Sequence, residues 1–216
     1  MALLTDFYTR LNPKLPGCPE PVVAQALIDT AIEFCQDTYI LGAFTSFTST
    51  AGTQTYTVPA PSNADLEVDV VRRVWYKDRE LAKAADHLID VPEVIRSTSF
   101  GTQETGDPRR FLRTLDSGFT VYPIPNVTTS DAFSVFYSMR PKLTATTLPD
   151  ELYIHWRDAL ISGTLARARS TPGQPWSASP TLDNNMYQYY RSKAKAVVAR
   201  GYSSAHIRVI TRGFGR

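Results

Sequence analysis

Apolar residues recur at helical spacing near both ends of this chain and alternate in steps of two through its middle, so the pattern predicts helix, then strand, then helix. The clearest helix begins after Leu148. Pro149 suits a first helical position, Asp150 and Glu151 suit the positive end of a helix dipole, and Thr171-Pro172-Gly173 marks the stop. Between these marks Leu152, Trp156, Ala159, Leu160 and Gly163 form one apolar row, and Ile154, Ile161, Leu165 and Ala168 form a second. Two rows imply burial on two sides. Gly163 costs a helix interior about 1 kcal/mol relative to Ala, which predicts a close neighbour there.

An irregular lead-in with Pro13, Pro16 and Pro19 precedes a helix over Pro21–Tyr39, with Ala24, Leu27, Ile28, Ala31 and Cys35 on one face. The Thr-rich run from Phe44, broken by Gly52, reads as a hairpin. Further strands are predicted at Val68–Tyr76, Arg109–Leu115, Phe119–Pro123 and Ala132–Arg140, with a turn at Lys77-Asp78 and a short return around Leu81. Ala84–Ile89 has the makings of one helical turn, and the polar stretch Ser97–Asp107 reads as a mobile surface loop. Ser179 as N-cap and Pro180 open a last helix that Gly201 ends, with Leu182, Met186, Tyr189, Tyr190 and Val197 as its apolar face. The tail Tyr202–Arg216 alternates Ile and Val with bases and reads as an extended segment that needs a partner.

The predicted fold class is therefore α+β: a long-helix bundle, made of the N-terminal helix and a C-terminal helical hairpin, with an inserted antiparallel β-sandwich or barrel and an extended C-terminal tail. The expected divisions are a helical core of residues 1–42 and 148–201, a β domain of residues 43–147, and a tail of residues 202–216.

Composition adds direction. With 216 residues and 43% hydrophobic content, the chain can bury a core, and its longest apolar runs are too short to span a bilayer. The net charge of +2 is unevenly spread: from Pro149 onward ten bases face four acids, and no acid follows Asp183. Such a C-terminal end favours an acidic or polyanionic partner. The start lacks a signal peptide's basic and apolar regions, which with Cys18 and Cys35 unclustered points to a reducing cytoplasm. That makes Asn126-Val127-Thr128 a chance match to a glycosylation acceptor.

Catalytic chemistry is hard to assemble from these residues. His87, His155 and His206 are scattered; Glu151 and His155 lie one helical turn apart but lack a third ligand, so a surface pair is the simpler account. Ser192-Lys193-Ala194-Lys195 matches SxxK without its companion motifs, inside an amphipathic helix. No phosphate loop, nucleophile elbow or dinucleotide fingerprint is present, and neither an enzyme nor a cofactor is expected. Arg191, Lys193 and Lys195 equally suit a helix C-terminus and a wet surface. The tail arginines, set among Ile and Val, suit docking into a groove with bidentate contacts to carboxylates or phosphates. Tyr187, Tyr189 and Tyr190 are better read as packing residues than as base-stacking ones.

Three further stretches carry a resemblance: DPRRFLRTLDSGFTVYPIPN, then FSVFYSMRPKL, then LPDELYIHWRDALISGTLARA with PGQPW. Over Asp107–Trp176 the chain resembles the head-to-tail adaptor (connector) proteins of tailed bacteriophages, a group that includes the tubular tail protein A of short-tailed phages. The order of helix, β insertion, helical hairpin and tail fits as well. The resemblance implies a non-enzymatic virion protein of the neck, assembled in the host cytoplasm. About a dozen copies would form a ring on the portal protein, joined below to a tail or nozzle protein, enclosing double-stranded DNA without reading its sequence. Carried over by position, Ile207, Arg208, Val209, Ile210, Arg212, Phe214 and Arg216 would dock on the portal. Trp156, Leu160, Gly163, Tyr187, Tyr190 and Arg191 would serve the ring interface, and Phe100, Gln103 and Glu104 the tail-side loop. The acids Glu67, Asp69 and Asp78 could face DNA and keep it from sticking.

Two alternatives stand beside this reading. One is a nucleic-acid-binding protein with the tail as a basic arm, although such an arm gains from more bases and fewer apolar anchors. The other is a receptor- or carbohydrate-binding tail component that uses Trp75, Tyr56 and Tyr76 of the Thr-rich β unit.

Overall fold

The computed structural model describes residues 1–84, 104–114 and 117–210, with the course of the backbone alone for residues 202–210. In chain order its elements are β1 (Ala2–Leu3), α1 (Thr5–Leu11), a 3-10 turn (Asn12–Lys14), α2 (Glu20–Thr38), β2 (Gly42–Ser49), β3 (Thr55–Thr57), β4 (Leu66–Tyr76), β5 (Arg79–Glu80), β6 (Ala82–Lys83), β7 (Arg110–Arg113), β8 (Gly118–Tyr122), β9 (Thr129–Pro141), β10 (Thr147–Leu148), α3 (Asp150–Arg169) and α4 (Thr181–Ile210). They fall into two compact units. The first comprises Met1–Leu41, Asn63–Glu67 and Arg140–Arg216, and the second Gly42–Ser62 and Val68–Met139.

The first unit is built on α2, α3 and α4. Along α2 the buried positions Val23, Leu27, Ala31 and Phe34 follow the helical repeat, and along α3 so do Leu152, Trp156, Leu160 and Gly163. These rows face each other, with the Phe34 and Trp156 rings 5.6 Å apart. α2 ends where Tyr39 turns left-handed (φ 54°) while its N–H donates to the Cys35 carbonyl, a C-cap geometry that glycine usually supplies. Short elements fix the chain's start. Ala2 pairs with Leu148 across an antiparallel bridge, and the Met1 ammonium lies 2.6 Å from Asp150 at the N-terminus of α3. Phe7 of α1 is fully buried and meets Tyr153 edge-on at 5.2 Å.

A polar knot closes the same unit. Asp65 accepts hydrogen bonds from the Thr147 amide (2.9 Å), the Thr147 hydroxyl and the Thr146 hydroxyl, and its own carbonyl takes the Lys142 amide. These donors, chiefly the Thr147 hydroxyl, hold its carboxyl below the usual carboxylate range.

In the second unit, four-stranded sheets of order β2-β9-β4-β5 and β3-β8-β7-β6 share one core. Phe133 is its centre, with ring centroids 4.9 Å from Tyr56, 5.0 Å from Tyr76 and 5.7 Å from Phe119. Strand alternation puts these rings inside, and Val68, Val71, Val74 and Val135 fill the space around them. Lys77 and Asp78 (φ 47° and 64°) form the two-residue turn that a twisted hairpin favours between β4 and β5. At Gly118 a Cβ would lie 2.5 Å from the Tyr56 carbonyl, so only glycine lets β3 approach β8 there.

The fold is α+β, but the predicted long-helix bundle with one inserted antiparallel sandwich or barrel and an extended tail does not describe it. Among the described residues ten strands form three sheets, one of them, β1-β10, inside the helical unit, and β6 runs parallel to β7. The supposed hairpin after Phe44 is not one: β2 pairs with β9 and β3 with β8, partners more than sixty residues away. The lead-in contains α1, and the C-terminal segment continues α4 as far as Ile210. Gly201 weakens a helix by about 1 kcal/mol but does not break it, because Ala194, Ala196 and Ala199 before it are strong helix formers and no proline follows. The predicted turn at Ala84–Ile89 lies, beyond Ala84, outside the described residues.

Gly163 does have the predicted close neighbours. A Cβ there would stand 2.4 Å from the Thr30 methyl and 2.9 Å from the Tyr187 ring. Gly163→Ala therefore lowers unfolding stability by about 1–3 kcal/mol, the cost of overpacking, although alanine is the better helix former. Urea denaturation followed by circular dichroism checks this; a gain in stability would mean that the three helices part without cost.

Candidate assembly surfaces

α4 is a 30-residue helix, about 45 Å long, and among its described side chains, residues 181–201, only a narrow strip is buried. Tyr187 and Ala194 are buried (4% and 0% exposed) seven residues apart, on one face of the helix. Arg191 lies between them. The Tyr187 ring sits in the notch left by Gly163, and its hydroxyl donates to the Thr30 carbonyl at 3.5 Å. Burial, with Glu33 nearby, pushes that hydroxyl's pKa well above the ordinary tyrosine value.

Charge fixes the register of this contact. Arg191 forms ion pairs with Glu33 (3.2 Å) and with Asp37, its guanidinium lies 5.5 Å from the Tyr187 ring centre, and Arg167 of α3 also reaches Glu33. A second clamp joins Arg169, at the end of α3, to Asp183, in the first turn of α4, at 2.6 Å. Glu33 and Asp37 stand one turn apart on α2, the spacing that lets one guanidinium bridge two carboxylates.

The face of α4 predicted to be buried is the one left open. Leu182 is 73% exposed, Tyr189 60%, Val197 46% and Met186 40%, and Lys193, Lys195 and Arg200 stand exposed among them. Ile154 of α3, predicted to belong to a buried row, is 69% exposed. Both misassignments share a cause: a helix apolar on two sides does not declare which side its own chain covers, and here Gly163 and the α2 carboxylates decide it.

The residues predicted for the ring interface are thus divided. Trp156, Leu160, Gly163 and Tyr187 lie inside the helical unit against its own helices, Tyr190 and Arg191 are partly exposed, and Tyr189 packs edge-on to Tyr190 at 5.5 Å. Of the predicted portal-binding residues, Ile207, Arg208, Val209 and Ile210 lie in the last turns of α4, whereas Arg212, Phe214 and Arg216 lie outside the described residues. Phe100 and Gln103 are likewise outside. Glu104 is exposed beside the end of β8, where it accepts the Tyr122 hydroxyl and its carbonyl takes the Ile124 amide at 3.0 Å.

The second unit has an exposed aromatic cluster that composition did not reveal. Phe44, on edge strand β2, is 70% exposed; its ring lies 4.7 Å from Phe136 and 6.0 Å from Trp75. Phe136 covers Gly42 so closely that a Cβ there would be 2.6 Å from the ring. Tyr56 and Tyr76, named with Trp75 in the receptor- or carbohydrate-binding alternative, are core residues (8% and 3% exposed). The acids suggested to face DNA are partly engaged: Glu67 pairs with Arg140 at 2.8 Å, and Asp69 accepts the Ser138 hydroxyl at 3.3 Å. Among the described residues no group of three metal-ligating side chains converges, and no helix is long and apolar enough to cross a membrane.

A long helix clamped along one strip and open along another belongs to a subunit that works by contact with other chains. The sequence agrees: residues 3–209 match the family described as SU10 adaptor protein, and the chain belongs to that family. It is thus a bacteriophage adaptor, a structural component of the virion, and the match runs through both units rather than only the Asp107–Trp176 segment that carried the resemblance. No curated protein matches the chain.

Arg191 ties α4 to α2 through two carboxylates. Arg191→Ala leaves Glu33 and Asp37 facing each other without their shared cation and lowers stability by about 1–2 kcal/mol, less than a fully buried pair would because all three groups keep some solvent. Chemical denaturation at low and high salt checks this; a stability equal to wild type would remove the clamp from the account.

Proposed function

We propose that the chain is the subunit of a closed head-to-tail ring, of about twelve copies, in the neck of the virion. The ring binds the portal on one side and a tail or nozzle protein on the other, as the tubular tail proteins do, while double-stranded DNA passes through without sequence-specific binding. The role is structural, without catalysis or cofactor, and assembly takes place in the host cytoplasm. Residues 1–42 and 148–201 act as the adaptor core, and residues 43–147, with Phe100, Gln103 and Glu104, contact the tail side.

One observation carries this reading: among the described side chains of α4 the last buried one is Ala194, while the outer stripe and every position from Lys195 to Arg200 apart from Val198 stand exposed. A monomer gains nothing from an apolar stripe left in water, whereas a ring subunit buries it against neighbours. Ring contacts are heterologous and need two different faces. The C-terminal residues Ile207, Arg208, Val209, Ile210, Arg212, Phe214 and Arg216 reach the portal, with α4 as a rigid arm. Tyr190 and Arg191, partly exposed, lie toward the ring contact. The basic-arm alternative is weaker, because the exposed bases of α4 are interleaved with Leu, Met, Tyr and Val rather than gathered into a phosphate-binding run.

Removing residues 207–216 leaves every described side chain of the helical unit in place, so the truncated chain folds as before but no longer joins portal-bearing heads. Head-bound protein after sedimentation, beside the circular dichroism of the free chain, checks this. Full attachment by the truncated chain would remove the docking role from that segment.

A further inference from the structure

We propose that the outer stripe of α4 and the exposed face of α3 formed by Glu151, Ile154 and Asp158 are the two halves of one contact, made between successive copies of this chain. The proposal rests on the ring reading above and specifies its surfaces.

The argument begins with register. α3 and α4 are antiparallel, and two contacts fix which residues are level: Gly163 against Tyr187, and Arg169 against Asp183. At 1.5 Å rise per residue, continuing from these anchors sets Asp158 level with Lys193, Ile154 with Val197, and Glu151 with Arg200. On α3 the order is acid, apolar, acid at helical spacing; on α4, at the same heights, it is base, apolar, base.

All six side chains face solvent, with Ile154 69% and Val197 46% exposed. Among the described residues Glu151, Lys193 and Arg200 enter no ion pair, and Asp158 has only long surface pairs to Arg10 (3.6 Å) and Arg157 (3.9 Å). The complementary charges are therefore not spent within the chain. A rotation axis roughly parallel to these helices preserves height, so each copy's α4 would meet the next copy's α3 with Lys193 opposite Asp158, Val197 opposite Ile154 and Arg200 opposite Glu151. Apolar residues at the centre and charges at the rim are the usual anatomy of a protein contact, and the charges set register and partner choice more than affinity. Further along α4, Leu182, Met186 and Tyr189 extend the apolar strip of the same contact.

Charge exchange tests this. Lys193→Glu with Arg200→Glu in one variant, and Glu151→Lys with Asp158→Lys in another, each reduce the oligomer about tenfold or more, measured by light scattering on the full chain with and without portal-bearing heads. The variant carrying all four changes regains it. Circular dichroism confirms that each variant is folded. In a Cys18→Ser background, chains with Ile154→Cys and chains with Val197→Cys oxidise to a covalent dimer when mixed, and neither does so alone. Wild-type oligomers that survive both reversals, or a folded quadruple variant that does not recover, overturn the assigned surfaces while leaving the ring standing. A wild-type chain that stays monomeric both free and on heads overturns the ring and this contact together.

Discussion

The seating of Tyr187 against Gly163 is the contact on which the helical unit depends. It brings three helices to within a side chain of one another, because the missing Cβ of Gly163 admits the Tyr187 ring on one side and the Thr30 methyl on the other. Once that ring is in place, Ala194 follows two turns later on the same face, and Arg191 between them reaches the carboxylates of α2. The apolar contact supplies packing, and the ion pairs supply register, since an arginine displaced by one turn would no longer bridge Glu33 and Asp37. The same choice of face leaves Leu182, Met186, Tyr189 and Val197 in water. A structural need inside the subunit thereby leaves open the surface proposed for the ring contact.

The second unit reaches order by a different route. Its core is a cluster of aromatic rings around Phe133, contributed by strands far apart in sequence, so its stability comes from non-local pairing rather than from helices with their own propensity. Small residues again decide close approaches: Gly118 lets β3 lie against β8, and Gly42 leaves room for the Phe136 ring. The result is a compact β unit with one aromatic patch at an edge strand.

Local signals made much of this legible in the sequence. The start of α3 was marked by Pro149 and two acids, the turn at Lys77-Asp78 by its polarity, and β4, β8 and β9 by alternation; the odd glycine at position 163 announced a close contact that the structure contains. What escaped had non-local or competing causes. The run from Phe44 through Tyr56 looked like a hairpin because the partners β9 and β8 lie more than sixty residues on. α1 is a seven-residue helix, too short for a clear periodic pattern and followed at once by Pro13, Pro16 and Pro19. In α4, Tyr187 could not be distinguished from Tyr189 or Tyr190 as the buried ring without knowing what Gly163 faced, and the helix ran on through Gly201 because one glycine is a smaller penalty than a proline. Of the residues predicted for the ring interface, Trp156, Leu160, Gly163 and Tyr187 belong to the unit's own core, and the stripe of α4 that periodicity predicts to be buried is exposed.

Sedimentation of the purified chain, alone and mixed with portal-bearing heads, with a DNA-only control, tests the central claim most directly. An α4 that is open for neighbours predicts a species of about 24 kDa that becomes a ring of many copies, in solution or on the heads, and shows no such change with DNA. A chain that ignores heads and itself but binds DNA, less tightly as salt rises, would contradict the adaptor ring and mark α4 as a nucleic-acid surface.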